Sequence, residues 1–328
     1  HTRLQGDWSS DVCSSDLSYN KYNHNWYVGE LYEAFTNSVK SELNATVIPI
    51  EELAQKYSEP YSSRENGYPS IFNIYNLIVY NTSKQTGLIH SLMDYAPVIL
   101  EHKSALDKLY IKAVSFSSNF TSDLTNRYAY LNLNLIPSFY ILENWDDIEH
   151  IEQRFSASSN RLNKCYFNGA SYGYRSNYIN NLKHNSFFDL KDKSEAHSYR
   201  SKKAYYDELS QYKYGLSLNG AAQICYRDLE CFGLGVLCLR EPMDIQTSDP
   251  LLPDKHYKIV LDDYIRNNIY YSHKAQEITE RLLNNINSIS NEEYLYITNN
   301  AREWFIKNIN KNNQINFLKQ CLIENNII

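Results

Sequence analysis

The chain has 328 residues, a formal net charge of −6 at pH 7 and a hydrophobic fraction of 43%, a composition typical of globular proteins. The mildly acidic balance does not favour a nucleic-acid-binding surface, and no apolar run approaches the ~20 residues of a transmembrane helix. A chain of this length exceeds what one compact core usually serves, so we expect two domains.

Residues 1–17 resemble the conceptual translation of a sequencing adapter joined to a metagenomic reading frame, and residues 6–17 carry most of this likeness. We therefore exclude residues 1–17 from the fold. The natural N-terminus, with any signal peptide or anchor, is expected to be missing. The expected location is the cytoplasm, with peripheral association at a membrane face left open.

The first domain is predicted at residues 18–150, where helix-like and strand-like segments alternate. An apolar stripe at helical spacing predicts a helix over Asn25–Leu43. Strands are predicted at Thr46–Ile50, Ile71–Tyr80, Leu109–Phe116 and Leu133–Ile141, with helices around Glu51–Tyr57 and Lys84–Tyr95. This alternation predicts an α/β unit.

A bridging helix is predicted at Trp145–Phe155, with isoleucines on one side and acidic residues, expected to be solvated, on the other. It marks the boundary to a second domain at residues 151–328. There, a short strand at Cys165–Phe167 leads through a loop of small residues into a helix at Arg175–Lys183. The backbone of such a loop can approach a ligand closely, so the loop is a candidate phosphate cradle.

The segment Lys213–Glu241 has the pattern of a βαβ unit: a buried strand, a polar turn, a short helix, a glycine break and a second buried strand. Bulky residues alternate with small ones in the first strand, which leaves one face on which a helix can lie closely. Cys225, Leu229 and Phe232 recur at i, i+4 and i+7 and are expected to face the sheet. The helix residues that then point elsewhere are Tyr226, Arg227 and Glu230.

The remaining segments are predicted to close the second domain. They are a strand at Tyr257–Leu261 and helices at Ser272–Ile286, Glu292–Ile309 and Gln314–Leu322. The cysteines outside residues 1–17 form no Cys-x-x-Cys pair, so we expect buried free thiols at Cys165, Cys225, Cys231, Cys238 and Cys321.

The motif order in the second half resembles the donor-binding segment of GT-B glycosyltransferases, most nearly the CAP10-like family of protein O-glucosyltransferases and lipopolysaccharide-modifying enzymes. Beside the Lys213–Glu241 unit, Tyr166–Ala170 with Arg175 resembles the family's Phe-Arg-Gly motif. His256-Tyr257 followed by Val260 resembles its His-Tyr-x-x-Val segment. The likeness covers residues 160–310. The chain departs from the family at Asn168, where Arg is usual, and in Asn219-Gly220, which shortens an Asp-Gly-Asn-Gly turn.

The resemblance implies an α/β fold of the GT-B type, with two facing Rossmann-like domains and a C-terminal helical segment that crosses back to the first domain. It implies transfer of a sugar from a nucleotide-sugar donor to a hydroxyl of a glycan, a lipopolysaccharide or a protein. No cofactor and no nucleic-acid partner are expected. Two alternatives stay open: a GT-B nucleotide-sugar epimerase, and a catalytically silent module that binds glycans or a partner protein.

The expected donor-binding residues are Asn168, Gly169, Arg175, Ser217, Asn219, Gly220, Tyr226, Arg227 and Glu230. By resemblance, Glu230 accepts both ribose hydroxyls, and the alternative is a surface salt bridge to Arg227 at i, i+3. Arg175 and Arg227 have the fork geometry that suits a diphosphate leaving group, and the alternative is a pair of ordinary surface cations. Ser217 and Asn219 contact the nucleotide or else satisfy a turn.

An inverting transferase needs a base that deprotonates the acceptor hydroxyl, and this base is expected in the first domain. Asp94 is the candidate whose apolar setting favours a raised pKa. The other candidates are His90, Glu101 and His102, and an ordinary polar residue at a helix end is the alternative for each. No Asp-x-Asp dyad and no His-x-x-x-His pair occurs, so we expect no metal site. His256 is expected to be structural or at the surface.

Overall fold

The computed structural model describes residues 46–48, 76–81, 84, 86–91, 100, 106–107, 110–116, 120–138, 145–155, 160–169, 174–192, 201–219 and 223–328. These residues form two separate five-stranded sheets with helices, so the predicted α/β class is confirmed. The predictions that lie outside the described residues concern residues 1–17, the helices at Asn25–Leu43 and Glu51–Tyr57, and the site residues Asp94, Glu101, His102 and Gly220.

The first sheet has the order β1-β2-β3-β4-β5 and is mixed. Its strands are β1 at Thr46–Ile48, β2 at Asn76–Asn81, β3 at Thr86–Ser91, β4 at Ile111–Phe116 and β5 at Asn134–Pro137. Strands β1, β2 and β3 pair antiparallel, whereas β3, β4 and β5 pair parallel. The parallel half agrees with the predicted α/β unit, and the antiparallel meander was not predicted. A short helix, α1 at Leu124–Arg127, lies between β4 and β5.

The helix predicted at Lys84–Tyr95 is wrong, because strand β3 at Thr86–Ser91 occupies half of this range. This strand lies between β2 and β4, and its residues from Thr86 to His90 are all buried. A short strand that is buried on both faces has no polar side, so its apolar run cannot be distinguished from a buried helix by periodicity alone.

Helix α2 at Trp145–Arg154 confirms the predicted bridging helix. Its apolar side packs on the second unit, where Ile151 is fully buried. One part of the prediction is wrong: Asp147 is not solvated but buried, with its carboxylate 3.2 Å from the Lys202 ammonium. The domain boundary near residue 150 stays a prediction.

The second sheet is entirely parallel and has the order β10-β9-β8-β6-β7. Its strands are β6 at Leu162–Gly169, β7 at Phe188–Asp192, β8 at Tyr212–Ser217, β9 at Leu237–Arg240 and β10 at Lys258–Ile259. The connecting helices are α3 at Arg175–Leu182, α4 at Lys202–Leu209 and α5 at Tyr226–Leu234. The predicted β8-α5-β9 unit is therefore confirmed, whereas β7 and α4 were not predicted.

Two glycines explain how closely α5 approaches the sheet and where it stops. A Cβ atom added to Gly215 in β8 would lie 2.5 Å from the Cys231 sulfur of α5, so only glycine allows this approach. Gly235 has φ of +67° and caps α5 in the left-handed conformation, which frees the chain to enter β9. Both features agree with the small strand face and the glycine break read from the sequence.

Helices cover both faces of the second sheet. On one face Leu229 and Phe232 of α5 pack with Ile151 of α2. On the other face Tyr178 and Leu182 of α3 pack in a second apolar cluster. The closing helices are α6 at Asp263–Asn268, α7 at Ala275–Asn287, α8 at Asn291–Asn308 and α9 at Lys311–Glu324. The five predicted free thiols are confirmed as buried.

The C-terminal segment touches the first sheet region, as the resemblance implied. The Asn134 side-chain amide donates to the Asn325 amide oxygen at 3.0 Å, and the Lys84 ammonium lies 3.2 Å from the Asn326 carbonyl oxygen. A second contact joins residues after β4 to residues after β9, where the Gln246 N–H donates to the Phe120 carbonyl at 2.8 Å. None of the helices that the structure describes has the length and apolar character needed to cross a bilayer.

Candidate functional site

The second sheet has a topological switch point between β6 and β8. The chain leaves β6 towards β7 on one side and leaves β8 towards β9 on the other, so the two connections diverge at the carboxyl ends of these strands. In open α/β sheets ligands bind in the crevice that such divergence creates. Gly169 ends β6 and Ser217 ends β8, so the predicted donor-binding residues at these two ends flank the crevice.

Two arginines cross this switch point in opposite directions. Arg175, at the start of α3, donates to the carbonyl oxygens of Leu218 and Asn219 at 2.9 Å and 2.8 Å. Arg227, in the first turn of α5, donates to the Asn168 carbonyl oxygen. Both arginines are 0% exposed, so the alternative of ordinary surface cations is wrong. Each guanidinium links one strand end to the helix that follows the neighbouring strand.

Arg227 is also packed against carbon. Its guanidinium lies 4.3 Å from the centre of the Phe167 ring, a distance typical of cation–π stacking. A Cβ atom at Gly169 would lie 2.7 Å from a terminal nitrogen of Arg227. The predicted glycine therefore makes room for the arginine, in addition to any approach of the backbone to a ligand.

Glu230 is 1% exposed, so its predicted place on the exposed side of a helix is wrong. Its carboxylate accepts a hydrogen bond of 2.9 Å from the Tyr205 hydroxyl of α4. All nine residues of α5 are buried, because α2, α4 and α8 cover the faces that the sheet leaves open. Burial, together with the negative charge of Glu230, raises the pKa of Tyr205 well above its ordinary value. A weak surface salt bridge between Glu230 and Arg227 is therefore also excluded.

Asn168 belongs to a polar network that extends towards the surface. Its side-chain amide donates to the Tyr166 hydroxyl at 3.1 Å, and that hydroxyl donates to Glu208 at 2.8 Å. Lys191, at the end of β7, forms an ion pair with the same Glu208 carboxylate. Burial raises the pKa of Tyr166, so its hydroxyl stays protonated as a donor.

Asn219 is held from several directions at the end of β8. Its carbonyl oxygen accepts from the Tyr174 hydroxyl at 2.7 Å as well as from Arg175. Its N–H donates to Glu241 at 3.2 Å. Its side-chain oxygen accepts from Arg240 at 2.9 Å. The residue is partly exposed. Whether it contacts the nucleotide or satisfies a turn stays a prediction.

The sequence did not identify Arg240 and Asp228, which hold this loop together. Both side chains are 0% exposed, and their closest N–O distance is 2.5 Å. Arg240 also donates to the Gln223 carbonyl at 2.5 Å, so it joins the two described ends of the β8-α5 loop. Burial is the largest single influence on Arg240 and opposes its charge, but Asp228 together with Cys238 and other neighbours raises the pKa of the guanidinium overall.

Asp228 also belongs to the capping box at the start of α5, where it is the third helical residue. Its other oxygen accepts from the Cys225 N–H at 2.7 Å, and Cys225 is the N-cap of the helix. The sequence signal for this capping box was an acidic residue three positions after the N-cap. It was missed because the N-cap is cysteine, whereas a capping box usually has serine or threonine there. Ser217 and Tyr226, two predicted contacts, are buried nearby, and the Ser217 hydroxyl lies 3.4 Å from the Cys225 sulfur.

The two described histidines considered from the sequence are both neutral. His90 lies in β3 and not at a helix end, and its burial lowers its pKa to about 3. The residue is 2% exposed. His256 accepts from the Leu252 N–H at 2.9 Å, and its burial lowers its pKa to about 4. The structural interpretation of His256 is therefore confirmed.

Within the described ranges no group of three or more His, Cys, Asp or Glu side chains has the arrangement of a metal site. Whether the activity is independent of metals stays a prediction. The described residues do place two buried arginines at one edge of the second sheet, where each donates to backbone carbonyl oxygens at the end of a neighbouring strand.

Comparisons with known proteins give matches among solved structures and none among family models or curated proteins. The CAP10-like likeness therefore has no support beyond the motifs themselves. Among solved structures, the pneumococcal O-GlcNAc transferase GtfA in complex with UDP and GlcNAc matches with a TM-score of 0.38 and 11% identity. The match covers 67% of this chain and only 46% of that one.

A glycosyltransferase from Rickettsia africae ESF-5 matches with a TM-score of 0.35 and 12% identity, over 94% of this chain and 84% of that one. Both scores are too low to carry an inference about this chain. The function is therefore argued from the site.

Proposed function

We propose that the chain is a metal-independent glycosyltransferase of the GT-B type that binds a nucleotide sugar at the carboxyl edge of the second sheet. The observation that carries the proposal is the pair of buried arginines, Arg175 and Arg227, at the switch point between β6 and β8. A nucleoside diphosphate is dianionic or more at neutral pH, and buried guanidinium groups next to helix starts attract such a group strongly.

The proposed chemistry uses these cations in place of a metal ion. As the bond between the sugar and the diphosphate breaks, negative charge grows on the leaving phosphate oxygens. Preorganised cations and helix N–H groups stabilise that charge without reorganising at the moment of reaction. Arg175 begins α3 and Arg227 lies in the first turn of α5, so side-chain and helix contributions act in the same place.

Glu230 is proposed to hold the ribose of the donor. Its carboxylate has more than one lone pair, so accepting from Tyr205 leaves capacity for a ribose hydroxyl. The acceptor is proposed to be a hydroxyl of a glycan, a lipopolysaccharide or a protein, presented by the first sheet unit. Asp94 stays the proposed base. The CAP10-like family and contact with a membrane face are proposals of the same kind.

The test is calorimetric titration of the full chain with UDP, GDP, ADP, CDP and TDP, combined with a screen of the corresponding nucleotide sugars for turnover. Glu230→Gln is compared with Tyr205→Phe, a matched variant that removes the hydrogen bond to Glu230 but leaves the carboxylate. If Glu230 holds ribose, Glu230→Gln weakens binding of the preferred nucleotide by ~1.5–3 kcal/mol. Tyr205→Phe should weaken it by much less, although both variants lose stability.

Equal affinities in the two variants would remove the ribose role of Glu230. Absence of binding for all five nucleotides would refute the proposed function and favour a silent module. Conversion of a nucleotide sugar to an epimer without any acceptor would identify the chain as an epimerase.

A further inference from the structure

The side-chain orientation of Asn219 is fixed by its arginine partner. Arginine carries only hydrogen-bond donors, so the atom that faces Arg240 at 2.9 Å must be the amide oxygen of Asn219. Exchanging the oxygen and nitrogen of the amide would place two donors against each other. The assignment of the amide oxygen and nitrogen of Asn219 therefore follows from the hydrogen-bond partners.

One polar group of Asn219 is left over after its contacts are counted. The carbonyl oxygen, the N–H and the side-chain oxygen are all engaged by Tyr174, Arg175, Glu241 and Arg240. Among the described residues, no group accepts from the side-chain nitrogen. This nitrogen carries two N–H donors on a partly exposed residue beside the switch point.

We propose that Asn219 is a specificity-determining residue whose side-chain N–H donates to a phosphate oxygen of a nucleoside diphosphate, and that Arg240 is the positioning residue that fixes this orientation. The inference rests on the proposed function and adds to it the polarity of the contact. A rigidly held N–H group donates to an oxygen that carries lone pairs and excludes a group that can only donate.

The groups around Asn219 carry both signs of charge. Three guanidinium groups surround the residue or its partners: Arg175, Arg240 and Arg266. Three carboxylates stand against them, since Asp228 pairs with Arg240, and Glu241 and Asp263 lie 3.4 Å and 3.2 Å from Arg266. The diphosphate is favoured by the strength of the hydrogen bond, because an N–H donor binds a charged phosphate oxygen about twice as strongly as a neutral oxygen.

The test replaces the donor without removing the contact to arginine. Asn219→Asp keeps an oxygen for Arg240 and puts a second oxygen where the N–H₂ group stands. Asn219→Ala removes the donor without adding charge. We expect both variants to bind UDP at least tenfold more weakly than the parent chain, and pyrophosphate likewise. Asn219→Asp should keep the thermal midpoint of the parent, because its new charge faces Arg240.

The matched control is Asn177→Asp, which adds the same charge to the first turns of α3, close in sequence to Arg175. It should change UDP affinity by less than threefold. Titration at ~0.05 M and ~0.5 M NaCl separates the two causes further, since salt screens the added charge but does not restore a lost donor.

Parent-like UDP affinity in Asn219→Asp would overturn the inference while leaving the proposed function in place. A loss for UDP without a loss for pyrophosphate would overturn the assignment to the diphosphate. If the parent chain binds neither UDP nor any other nucleoside diphosphate, both the inference and the proposed function fail.

The positioning role of Arg240 is tested separately with Arg240→Lys. Lysine keeps a positive charge beside Asp228, but its single nitrogen cannot serve Asp228 and Asn219 together in the guanidinium geometry. Nucleotide affinity should fall, and adding Asn219→Ala should then change it by less than twofold. Fully additive losses would overturn the positioning role. If Arg240→Lys does not fold, the Asn219 variants still decide the inference.

Discussion

Replacing Asp228 by Asn is expected to destabilise the protein by ~3 kcal/mol, because it leaves the buried Arg240 charge without its counter-ion. Asparagine also creates a conflict of polarity. One oxygen of Asp228 accepts from Arg240 at 2.5 Å and the other from the Cys225 N–H at 2.7 Å. An amide has only one oxygen, so in either orientation its N–H₂ group faces a donor.

The estimate lies at the low end of the ~3–5 kcal/mol range for broken buried ion pairs because Arg240 keeps three neutral acceptors. These are the side-chain oxygen of Asn219 and the carbonyl oxygens of Gln223 and Glu241, at 2.9, 2.5 and 3.2 Å. At ~2–4 °C per kcal/mol, the thermal midpoint should fall by ~6–12 °C.

The assay is urea unfolding of the full chain, with a double-mutant cycle in which Arg240→Met accompanies Asp228→Asn. The double variant should recover part of the loss, since it removes the unpaired charge. The matched control is Asp254→Asn, which breaks an exposed i, i+4 pair with Lys258 and should cost less than ~0.5 kcal/mol. If Asp228→Asn costs no more than this control, the buried pair does not hold the loop as argued.

Three further predictions concern packing, pH and metals. Gly233→Ala should lower the free energy of unfolding in urea by ~1–3 kcal/mol, because the new Cβ would lie 2.4 Å from Ile151 and 2.9 Å from Phe305. An unchanged free energy of unfolding would mean that α5 can shift to make room for the methyl group. His256 is held neutral with a pKa of about 4 against an ordinary 6.5, so the unfolded chain binds more protons between these values. Stability is then complete above pH 6.5 and falls by ~3 kcal/mol on acidification to pH 4, at ~1.4 kcal/mol per unit of pKa shift. His256→Asn should reduce this loss in pH-dependent urea unfolding. Turnover should survive EDTA, and its loss on chelation with recovery by Mn²⁺ or Mg²⁺ would contradict the proposed metal-independent chemistry.

Local elements were predictable from the sequence where their signals lie within a few neighbouring residues. The β8-α5-β9 unit was predictable because small residues on the strand, apolar spacing on the helix and Gly235 at its end all agree. The bridging helix α2 and helices α7 to α9 have apolar positions at helical spacing and were predicted for the same reason. The convergence of Asn168, Arg175, Asn219 and Arg227 followed from placing strand ends at one edge of a parallel sheet.

The burial of these polar side chains and their hydrogen-bond partners depend on how the elements pack together. Glu230 and Arg227 occupy the side of α5 that an isolated sheet and helix would leave in water, and they are buried because α2, α4 and α8 cover that side. Strand β3 was mistaken for a helix because its burial depends on neighbours distant in the chain. In the sequence Arg240 only follows an apolar run. Its role depends on contacts with Asp228, Asn219 and Gln223, which form once the βαβ unit has folded. Burial and pairing are properties of the assembled chain, so periodicity and spacing do not contain them.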